Sequence, residues 1–574
     1  MSSFLRKVDD VLRTKESKFQ DFQESEKKWG NEDLDPSPPS ARIWTHWNYF
    51  AFFWAVSFNP VAWNTGSSMI AAGLLWWQAT VAAIVGMMIM ATFLVLNSRG
   101  ASIYHIGFPV YVRICAGFYG SMWFIFVRGI VAIFFFGTQT YYAGKLFEVM
   151  LRSIFGHAWT DIPNHLPKSA GITTSGITAF FLFWLLQLIF MFIHPSNSRW
   201  LYTFKSVLCP PVLIATFGYI VGKAGGLGAT HKLGKVAKTP SAVGWAFMQG
   251  INSVSGSLMT EVSSNPDLAR YARTSAATTW PQWIGLVVAK SLCTFLGIGA
   301  SSAVKTLWGT AYWNIWDLYT AILDHNYNAG TRTAVALACF IQAFAVIATN
   351  LAANAVPVGS DLTGLFPRYF NIVRGQVLCA VLGLAICPWK LVNSAAAFIT
   401  FLGSNVVFLS PLVSIMMFVS LSNLELQPST HTDSYSTDYF FIRKGNVHIP
   451  SLYKANSSSP YWYYGGFNLR TIVAWLIALL SVIHGLGGSF NKNWNVGSKH
   501  IYYIGMLMSF AIAGPLYYIF NLIWPVDIYP LEHINAPKTR EIMAKTDGLF
   551  DDEIIIGYEE GGVIDENKAF ETKV

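Results

Sequence analysis

The chain has 574 residues, of which 53% are hydrophobic, 16% aromatic and only 12% charged, and its mean hydropathy is +0.40. Soluble domains carry about 25% charged residues, so this composition excludes a soluble globular protein and predicts a polytopic membrane protein. The formal net charge of +8 is better explained by membrane topology than by nucleic-acid binding. The six cysteines form no CxxC pair, so the sequence suggests neither a metal site nor a disulfide framework.

Apolar windows of about 20 residues, the length of a helix that crosses a bilayer, recur along most of the chain. The residues before the first window are polar and charged, so no cleavable signal peptide is expected there. We predict a polar tail at 1–43, an all-α membrane domain of about twelve spans at 44–524, and a second polar tail at 525–574. The predicted spans lie near 44–72, 77–97, 122–149, 176–194, 200–222, 241–263, 279–303, 333–357, 375–391, 393–421, 467–486 and 501–524.

An even number of spans places both tails on one side of the membrane. The short loops on that side are rich in arginine, which the positive-inside rule associates with the cytoplasm. One loop on the opposite side, 223–238, carries four lysines and disagrees with this assignment. The arginines are Arg99, Arg113, Arg199, Arg270, Arg273, Arg368 and Arg374. We therefore predict cytoplasmic tails, and the segment WNIWDLYTAIL within 304–332 predicts a short interfacial helix.

The first span contains a break that a membrane helix does not normally tolerate. Ser57, Asn59 and Pro60 lie in the middle of its apolar run, and proline removes a backbone donor and clashes with the preceding turn. In hydrocarbon such a break survives only where it is buried in protein or lines a cavity. Broken helices form the substrate and ion sites of secondary transporters. The alternative is a proline kink that only shapes packing.

A second irregular stretch lies in span 6. Residues 252–256, with the sequence NSVSG, are small and polar inside an apolar window, and we predict that the helix unwinds there. Interruptions in spans 1 and 6 fit two five-helix halves of inverted orientation, with spans 11 and 12 appended. The two halves share no repeat at the level of individual residues, so the predicted symmetry depends on the two breaks.

Two spans carry neutral polar side chains that could bind a ligand. In span 3, Gln139 offers a donor and an acceptor together, and Phe135 lies on the same helix face four residues earlier. A flat heterocycle with N–H and C=O groups needs such partners. In span 8, Asn350 and Asn354 share one face, and such side chains usually face a cavity. The alternatives are a glutamine and asparagines that bond neighbouring helices and a phenylalanine in lipid contact.

Among the charged residues within or at the ends of spans, Glu261, Arg128 and Asp361 are candidates for a function. Glu261, near the end of span 6, is either a buried proton carrier or a solvated interfacial carboxylate. Arg128 in span 3 either snorkels to the surface or pairs with an acid in a gate. Asp361, at the end of span 8, is a candidate partner for an arginine. The sequence contains neither a P-loop nor a catalytic motif in a suitable context, so ATP-driven transport and enzymatic activity are not expected.

Several segments of the chain resemble the nucleobase–cation symport family 1, and within it the fungal Fur-type permeases for uracil, allantoin and uridine. The resemblance covers about residues 33–525, in order. The matching segments are DLDPSPPSARIWTHWNYFAFFWAVSFN, LLWWQA, FGTQTYYAGK, NPDLARYAR, YWNIWDLY, ATNLAANAVPVGSDLTGLFPRYFNIVRGQ and CPWKLVNSAAAF.

The resemblance implies a LeuT-like fold of twelve helices, with a five-plus-five inverted repeat and broken spans 1 and 6. It places the substrate between spans 1, 3, 6 and 8. By motif match, Phe135 stacks on the substrate ring where tryptophan is usual, and Gln139 and Asn354 hydrogen-bond its edges. Asn59 supplies a polar contact, and Leu258 occupies a second stacking position that is usually aromatic. These two departures leave the identity of the substrate open.

The resemblance also implies a place for a coupling ion. The sodium site of bacterial relatives matches the carbonyls of Ala55 and Phe58 in span 1, with Ala345, Ala348 and Thr349 in span 8. A hydroxyl residue is typical at one of the span 8 positions, where this chain has Ala348. This departure weakens the case for sodium and suits the fungal members, which resemble proton-coupled transporters.

The function implied is a proton symporter of the plasma membrane that imports a nucleobase-like heterocycle, such as uracil or allantoin, by alternating access. We expect a small-molecule substrate, the lipid bilayer as surroundings, and no cofactor beyond the coupling ion. The alternatives are a uridine, thiamine or pyridine-vitamin permease on the same fold, or a non-transporting nutrient sensor. Lys538 and Lys545 in the C-terminal tail could accept regulatory ubiquitin from a ligase.

Overall fold

The computed structural model describes residues 9, 13–15, 17, 29–195, 198–228, 239–392, 394–417, 447, 449–490 and 494–526. Within these residues the protein is helical and contains no β-strand, apart from isolated bridges that join Trp44 to Ala272 and Tyr464 to Phe467. The predicted all-α architecture is therefore confirmed. The predicted tail lysines Lys538 and Lys545, and the lysine-rich part of the 223–238 loop, lie outside the described residues.

Each of the twelve predicted spans coincides with a helix or a pair of helices. The main helices are α1 (His46–Ser57), α2 (Pro60–Ala71), α3 (Trp76–Tyr104), α4 (Phe118–Phe155), α5 (Thr174–Phe190), α6 (Arg199–Ala224), α7 (Pro240–Ala269), α8 (Trp280–Trp308), α9 (Ile315–His325), α10 (Ala329–Asn350), α11 (Val356–Leu365), α12 (Ile372–Ala385), α13 (Ala395–Met417), α14 (Leu469–Phe490), α15 (Val496–Tyr503) and α16 (Gly505–Ile523). Shorter helical turns occupy Pro39–Ala41, Phe108–Tyr111, Arg113–Ala116, His157–Thr160, Lys168–Ala170, Ser275–Thr278, Pro388–Lys390 and Pro450–Tyr453.

In the described part of the chain, nine helices are long and apolar enough to cross a membrane on their own. The three remaining predicted spans each have a reason to fall short. Span 1 is divided between α1 and α2, α7 is rich in serine and threonine, and α12 has only 14 residues. The spans that are least regular as membrane helices thus include two of the four that are predicted to surround the substrate.

Helix lengths and contacts agree with two related five-helix halves. Helices α3 and α8, which are spans 2 and 7, each have 29 residues and pack against each other. Span 3 (α4) has 38 residues, and its counterpart, span 8, runs for 37 residues from Ala329 to Leu365 and packs against α4. Helices α14 and α16 pack against α13 and against each other, as expected for two appended spans.

The predicted break in span 1 is confirmed. Helix α1 ends at Ser57, and α2 begins at Pro60, a position where the missing N–H costs nothing. Asn59 holds the two ends together. Its side-chain oxygen accepts from the Ala62 N–H at 2.8 Å, and its amide donates to the Val56 carbonyl at 2.7 Å. The polar groups that the break exposes are therefore partly satisfied within the span itself.

The predicted unwinding of span 6 at 252–256 is wrong, because α7 is continuous from Pro240 to Ala269. The serines in this stretch fold back onto the helix. Ser255 donates to the Ile251 carbonyl at 2.9 Å and Ser257 to the Val254 carbonyl at 2.7 Å. Gly256 instead permits close packing, since a Cβ there would lie 1.9 Å from the Leu402 carbonyl oxygen of α13. The small residues serve helix–helix contact, a common use in membrane proteins.

Among spans 6 to 10, which form the second predicted five-helix half, the irregular backbone lies in span 8. A single π-helical turn at Leu351–Ala355 separates α10 from α11, and such turns are frequent at functional sites. The turn contains Asn354 and directly follows Asn350. The wider helical turn therefore places both predicted asparagines at the least regular point of the span.

An extended N-terminal arm, residues 29–45, packs across one end of the helices. The Arg270 guanidinium after α7 donates to the backbone carbonyls of Asp33 and Asp35 and to the Ser37 hydroxyl. The Tyr453 hydroxyl donates to the Leu34 carbonyl at 2.7 Å. The arm thereby connects the segment after span 6 with the segment between spans 10 and 11.

We predict that Gly256→Ala destabilises the protein by about 1–3 kcal/mol, the usual cost of overpacking, because the added methyl would meet the backbone of α13. The measurement is the thermal midpoint of the detergent-solubilised protein. Gly244→Ala is the matched control in the same helix, since nothing lies within 4 Å of a Cβ at that position. Equal midpoints for the two variants would contradict this account.

Candidate functional site

Two buried amides in spans 3 and 8 have oxygen atoms without hydrogen-bond partners. Gln139 of α4 is 6% exposed and its Oε1 has no partner among the described residues. Asn354 is fully buried. Its Nδ2 donates to Asn350 Oδ1 at 2.8 Å, and its own Oδ1 has no partner in the same part of the chain. An unsatisfied buried polar group costs about 1–3 kcal/mol, so both oxygens are candidates for contact with a ligand.

Aromatic side chains surround Gln139 along α4. Phe135, one turn earlier, is buried, and its ring centroid lies 4.9 Å from that of Phe401 in α13, at an interplanar angle of 31°. Phe135 belongs to one apolar cluster with Trp63 of α2 and Tyr142 of α4. The Trp63 indole nitrogen and the Tyr142 hydroxyl are buried without a partner in the described chain. Sequence reasoning missed both residues, although Tyr142 follows Gln139 by one helical turn.

The other two predicted substrate contacts have different surroundings. Asn59 is buried, and both its amide groups are engaged in closing the break between α1 and α2. Leu258 of α7 is fully buried in a separate apolar cluster that includes Tyr49, Phe53 and Met69. The structure thus brings Phe135 and Gln139 together on α4, next to span 8. Asn59 instead caps the helix ends at the break in span 1, and Leu258 packs in an apolar cluster.

A buried lysine contacts Thr349, one of the residues that the resemblance implies for a sodium site. The Lys205 ammonium of α6 donates to the Val56 carbonyl at 3.3 Å and to the Thr349 hydroxyl, and the side chain is fully buried. The Thr349 hydroxyl donates in turn to the Ala345 carbonyl at 3.2 Å. A lysine ammonium carries the same single positive charge as sodium and has three donors, so it can take the place of the ion.

Among the described residues, Lys205 hydrogen-bonds none of the other predicted ion ligands. Ala55 is buried next to Val56, and the Phe58 carbonyl accepts from the Cys209 thiol at 3.4 Å. Ala348, where the family typically has a hydroxyl residue, packs in an apolar cluster. Sequence reasoning missed Lys205, although a lysine seven residues into an apolar span is itself a signal of function.

Glu261 is neutralised by a second buried lysine. Lys290 Nζ of α8 lies 3.1 Å from one Glu261 carboxylate oxygen and 3.3 Å from the other, and the two side chains are 2% and 10% exposed. Lys205 interacts electrostatically with both members of this pair. Sequence reasoning missed Lys290 as well. Three buried charged groups of α6, α7 and α8 thus form one electrostatic unit.

A cavity of about 420 Å³ lies beside Glu261. Its wall extends from the N-terminal arm, at Ser40 and Trp44, past Glu261 to Ala353, the residue before Asn354. Aromatic residues of α1 and α6 also line it. The cavity therefore connects the side of the protein on which the arm packs with the irregular turn of span 8.

Arg128 forms a buried ion cluster with two aspartates. Its guanidinium lies 2.5 Å from the Asp361 carboxylate of α11 and 2.9 Å from that of Asp267 in α7, and all three side chains are nearly inaccessible. The guanidinium also lies 3.7 Å from the centroid of the Phe108 ring, and Asp267 accepts from the Ser360 hydroxyl at 2.8 Å. The structure thus brings together the predicted partners Arg128 and Asp361 and adds Asp267.

Comparison with known proteins finds similar sequences among permeases. The model of a family described as permeases for cytosine and purines, uracil, thiamine and allantoin matches residues 36–427 and 418–513. An uncharacterized permease of Schizosaccharomyces pombe is 34% identical over 500 residues, which cover 86% of this chain and 80% of that protein. The uridine permease of Saccharomyces cerevisiae is 32% identical over 535 residues, which cover 91% and 79%.

The chain is also similar to a solved structure. It matches Mhp1, a nucleobase-cation-symport-1 family transporter, in a closed conformation with bromovinylhydantoin bound. The TM-score is 0.65 at 20% sequence identity, and the match covers 88% of this chain and 99% of that one. This likeness shows the fold, including the predicted LeuT-like arrangement.

We predict that Arg128→Ala destabilises the protein by about 3–5 kcal/mol, because it leaves two buried carboxylates without a cation. Adding Asp361→Asn to this variant should recover part of the loss, since one of the uncompensated charges is then removed. The measurement is thermal unfolding of the purified variants. Arg152→Ala on the same helix is the control, because its ion pair with Asp324 is partly exposed and is worth about 0–1 kcal/mol. No recovery in the double variant would contradict this coupling.

Proposed function

The chain belongs to the family of permeases for cytosine and purines, uracil, thiamine and allantoin, and from this premise we propose that it is a proton symporter that imports a neutral, uracil- or allantoin-like heterocycle. The predicted membership of the nucleobase–cation symport family 1 is confirmed by the family match. The chain is a multi-pass membrane protein and a transporter. Its substrate, its coupling ion and the roles of its residues are the proposal.

The observation that carries the substrate class is the pair of unpartnered amide oxygens at Gln139 and Asn354. Both are buried, and an aromatic ring, Phe135, lies one turn from Gln139. A flat heterocycle with N–H and C=O groups at its edge would satisfy the amides and present a face to the ring. Uracil, allantoin and the base of uridine all have such edges, and a uridine permease is among the relatives.

Two features support alternating access. The cavity of about 420 Å³ connects the side of the arm with the turn that holds Asn354, and it gives the substrate a path to one side of the membrane. The Arg128 cluster joins α4, α7 and α11 near this cavity, so we propose that Arg128, Asp361 and Asp267 form a gate. Ligand binding can move such a gate only by favouring one of its two states.

Proton coupling is supported by Lys205. Its ammonium contacts Thr349, one of the predicted sodium ligands, and the Val56 carbonyl of α1, so we propose that protonation and deprotonation of this side chain replace binding and release of an ion. With Glu261 and Lys290 already paired, a protonated Lys205 leaves one net positive charge in the buried group. Glu261 then acts through Lys205 as an electrostatic partner rather than as the proton carrier itself.

We further propose that the protein acts in the plasma membrane with both tails in the cytoplasm. The arginines of the short loops support this orientation through the positive-inside rule. In that orientation the arm and the cavity mouth face the cytoplasm, as a release path for an imported substrate requires. Regulatory ubiquitin on the C-terminal tail would suit a permease that is removed from the surface.

We predict that the wild-type protein accumulates radiolabelled uracil, allantoin or uridine in cells that lack their own permeases, and that a protonophore abolishes this accumulation. Gln139→Ala and Asn354→Ala should each lower uptake at least about tenfold, because each removes a hydrogen bond from a buried polar site. Surface expression of a fluorescent fusion is the control. Unchanged uptake in either variant would remove that residue from the site.

We predict that Lys205→Met abolishes accumulation against a gradient while the protein still binds substrate, since the variant retains the bulk of the side chain without its charge. The measurements are protonophore-sensitive uptake in cells and substrate-induced thermal stabilisation of the purified protein. Lys223→Met, at the exposed end of the same helix, is the matched control. Normal protonophore-sensitive accumulation by Lys205→Met would contradict the proposed coupling.

A further inference from the structure

A polar network between spans 3, 4 and 8 holds the side chain of Asn350. Asn350 Nδ2 lies 3.1 Å from the Phe136 carbonyl, 3.0 Å from the Thr140 hydroxyl and 3.3 Å from Gln187 Oε1. The Thr140 hydroxyl donates to the same Phe136 carbonyl at 2.8 Å and accepts from Gln187 Nε2 at 2.9 Å. These side chains are buried, so the network is shielded from competing water.

The Phe136 carbonyl determines which way the Asn350 amide points. A backbone carbonyl can only accept, so the Asn350 amide must direct its NH₂ group toward it. Its oxygen then faces Asn354. Because that oxygen can also only accept, the NH₂ group of Asn354 must point to Asn350, at 2.8 Å. The orientation of both amides follows from one backbone atom and does not depend on a choice between two flipped forms.

The bond to Asn350 therefore fixes which way the Asn354 amide is turned, and it leaves the carbonyl oxygen of Asn354 buried and without a partner among the described residues. Gln139 differs in this respect. None of the described residues hydrogen-bonds its amide, so it can turn either its NH₂ group or its oxygen toward a ligand. The Gln139 amide can therefore adapt to its ligand, whereas the Asn354 oxygen is held in place as an acceptor.

We propose that Asn350 is a positioning residue, held by Thr140 and Gln187, that fixes Asn354 as an acceptor and so makes the site select heterocycles that present a ring or amide N–H. This inference rests on the proposed function, because it takes Asn354 as a substrate contact. The selected class comprises imides and ureides such as uracil and hydantoins. Heterocycles of the same size with an unprotonated ring nitrogen at that edge, such as cytosine, would meet the Asn354 oxygen with a second acceptor.

The experiment measures the affinities of purified protein for uracil and cytosine by substrate-induced thermal stabilisation and by calorimetry. The wild type should prefer uracil by about tenfold or more, the usual discrimination against a mispaired buried polar group. In Asn350→Ala, Asn354 is free to rotate and can offer its NH₂ group, so the ratio should fall to about threefold or less. A lower ratio of uracil affinity to cytosine affinity distinguishes a positioning role from a general loss of stability, because a general loss of stability would weaken the binding of both ligands equally.

Substitutions at Thr140 provide a second test. In our proposal Thr140 holds Asn350 and does not contact the ligand. Thr140→Val removes the hydroxyl that accepts from Asn350 and Gln187, and it should lower the uracil-to-cytosine ratio. Thr140→Ser keeps the hydroxyl and should preserve the ratio. An unchanged ratio in Asn350→Ala, or equal binding of both compounds by the wild type, would overturn this inference alone. Failure of the wild type to bind either compound would overturn the proposed substrate class together with it.

Discussion

Hydrocarbon cannot hydrate a backbone or side-chain polar group, and the arrangement of this protein depends on how each such group finds a partner. At the break between α1 and α2, a single asparagine bonds to both helix ends. At the π-turn of span 8, the Asn350 amide is held by a carbonyl, a hydroxyl and a second amide. Gln139 and Asn354 each have an oxygen without a partner among the described residues, and we propose that the substrate supplies it.

The same constraint governs the buried charges. Arg128 is compensated by two aspartates and Glu261 by one lysine. Among the described residues, Lys205 has a carbonyl and a hydroxyl as direct hydrogen-bond partners and no carboxylate. Its charge is thus less compensated than those of Arg128 and Lys290, and we propose this ammonium as the group that couples transport to a proton gradient.

The sequence was sufficient for the spans and for the first break, because hydropathy marks a span and a proline inside an apolar run marks an interruption. It failed at residues 252–256, where serine and glycine are equally compatible with an unwound segment and with close helix packing. Only the position of Leu402 on α13 decides between them. Lys205 and Lys290 could have been found as lysines within apolar spans, but their partners, Thr349 and Glu261, lie far away in the chain. Distant pairing of this kind is not visible in one sequence.

Part of the attachment of the N-terminal arm runs through its backbone. Arg270 and Tyr453 bond to the carbonyl oxygens of Asp33, Asp35 and Leu34, and the arm also forms a parallel bridge through Trp44. A carbonyl is the same in every residue, so the bonds that the carbonyls of Asp33, Leu34 and Asp35 accept do not depend on which side chains these positions carry. Selection that preserves these particular bonds is then expected to act on the receiving residues of the helical body, Arg270 and Tyr453.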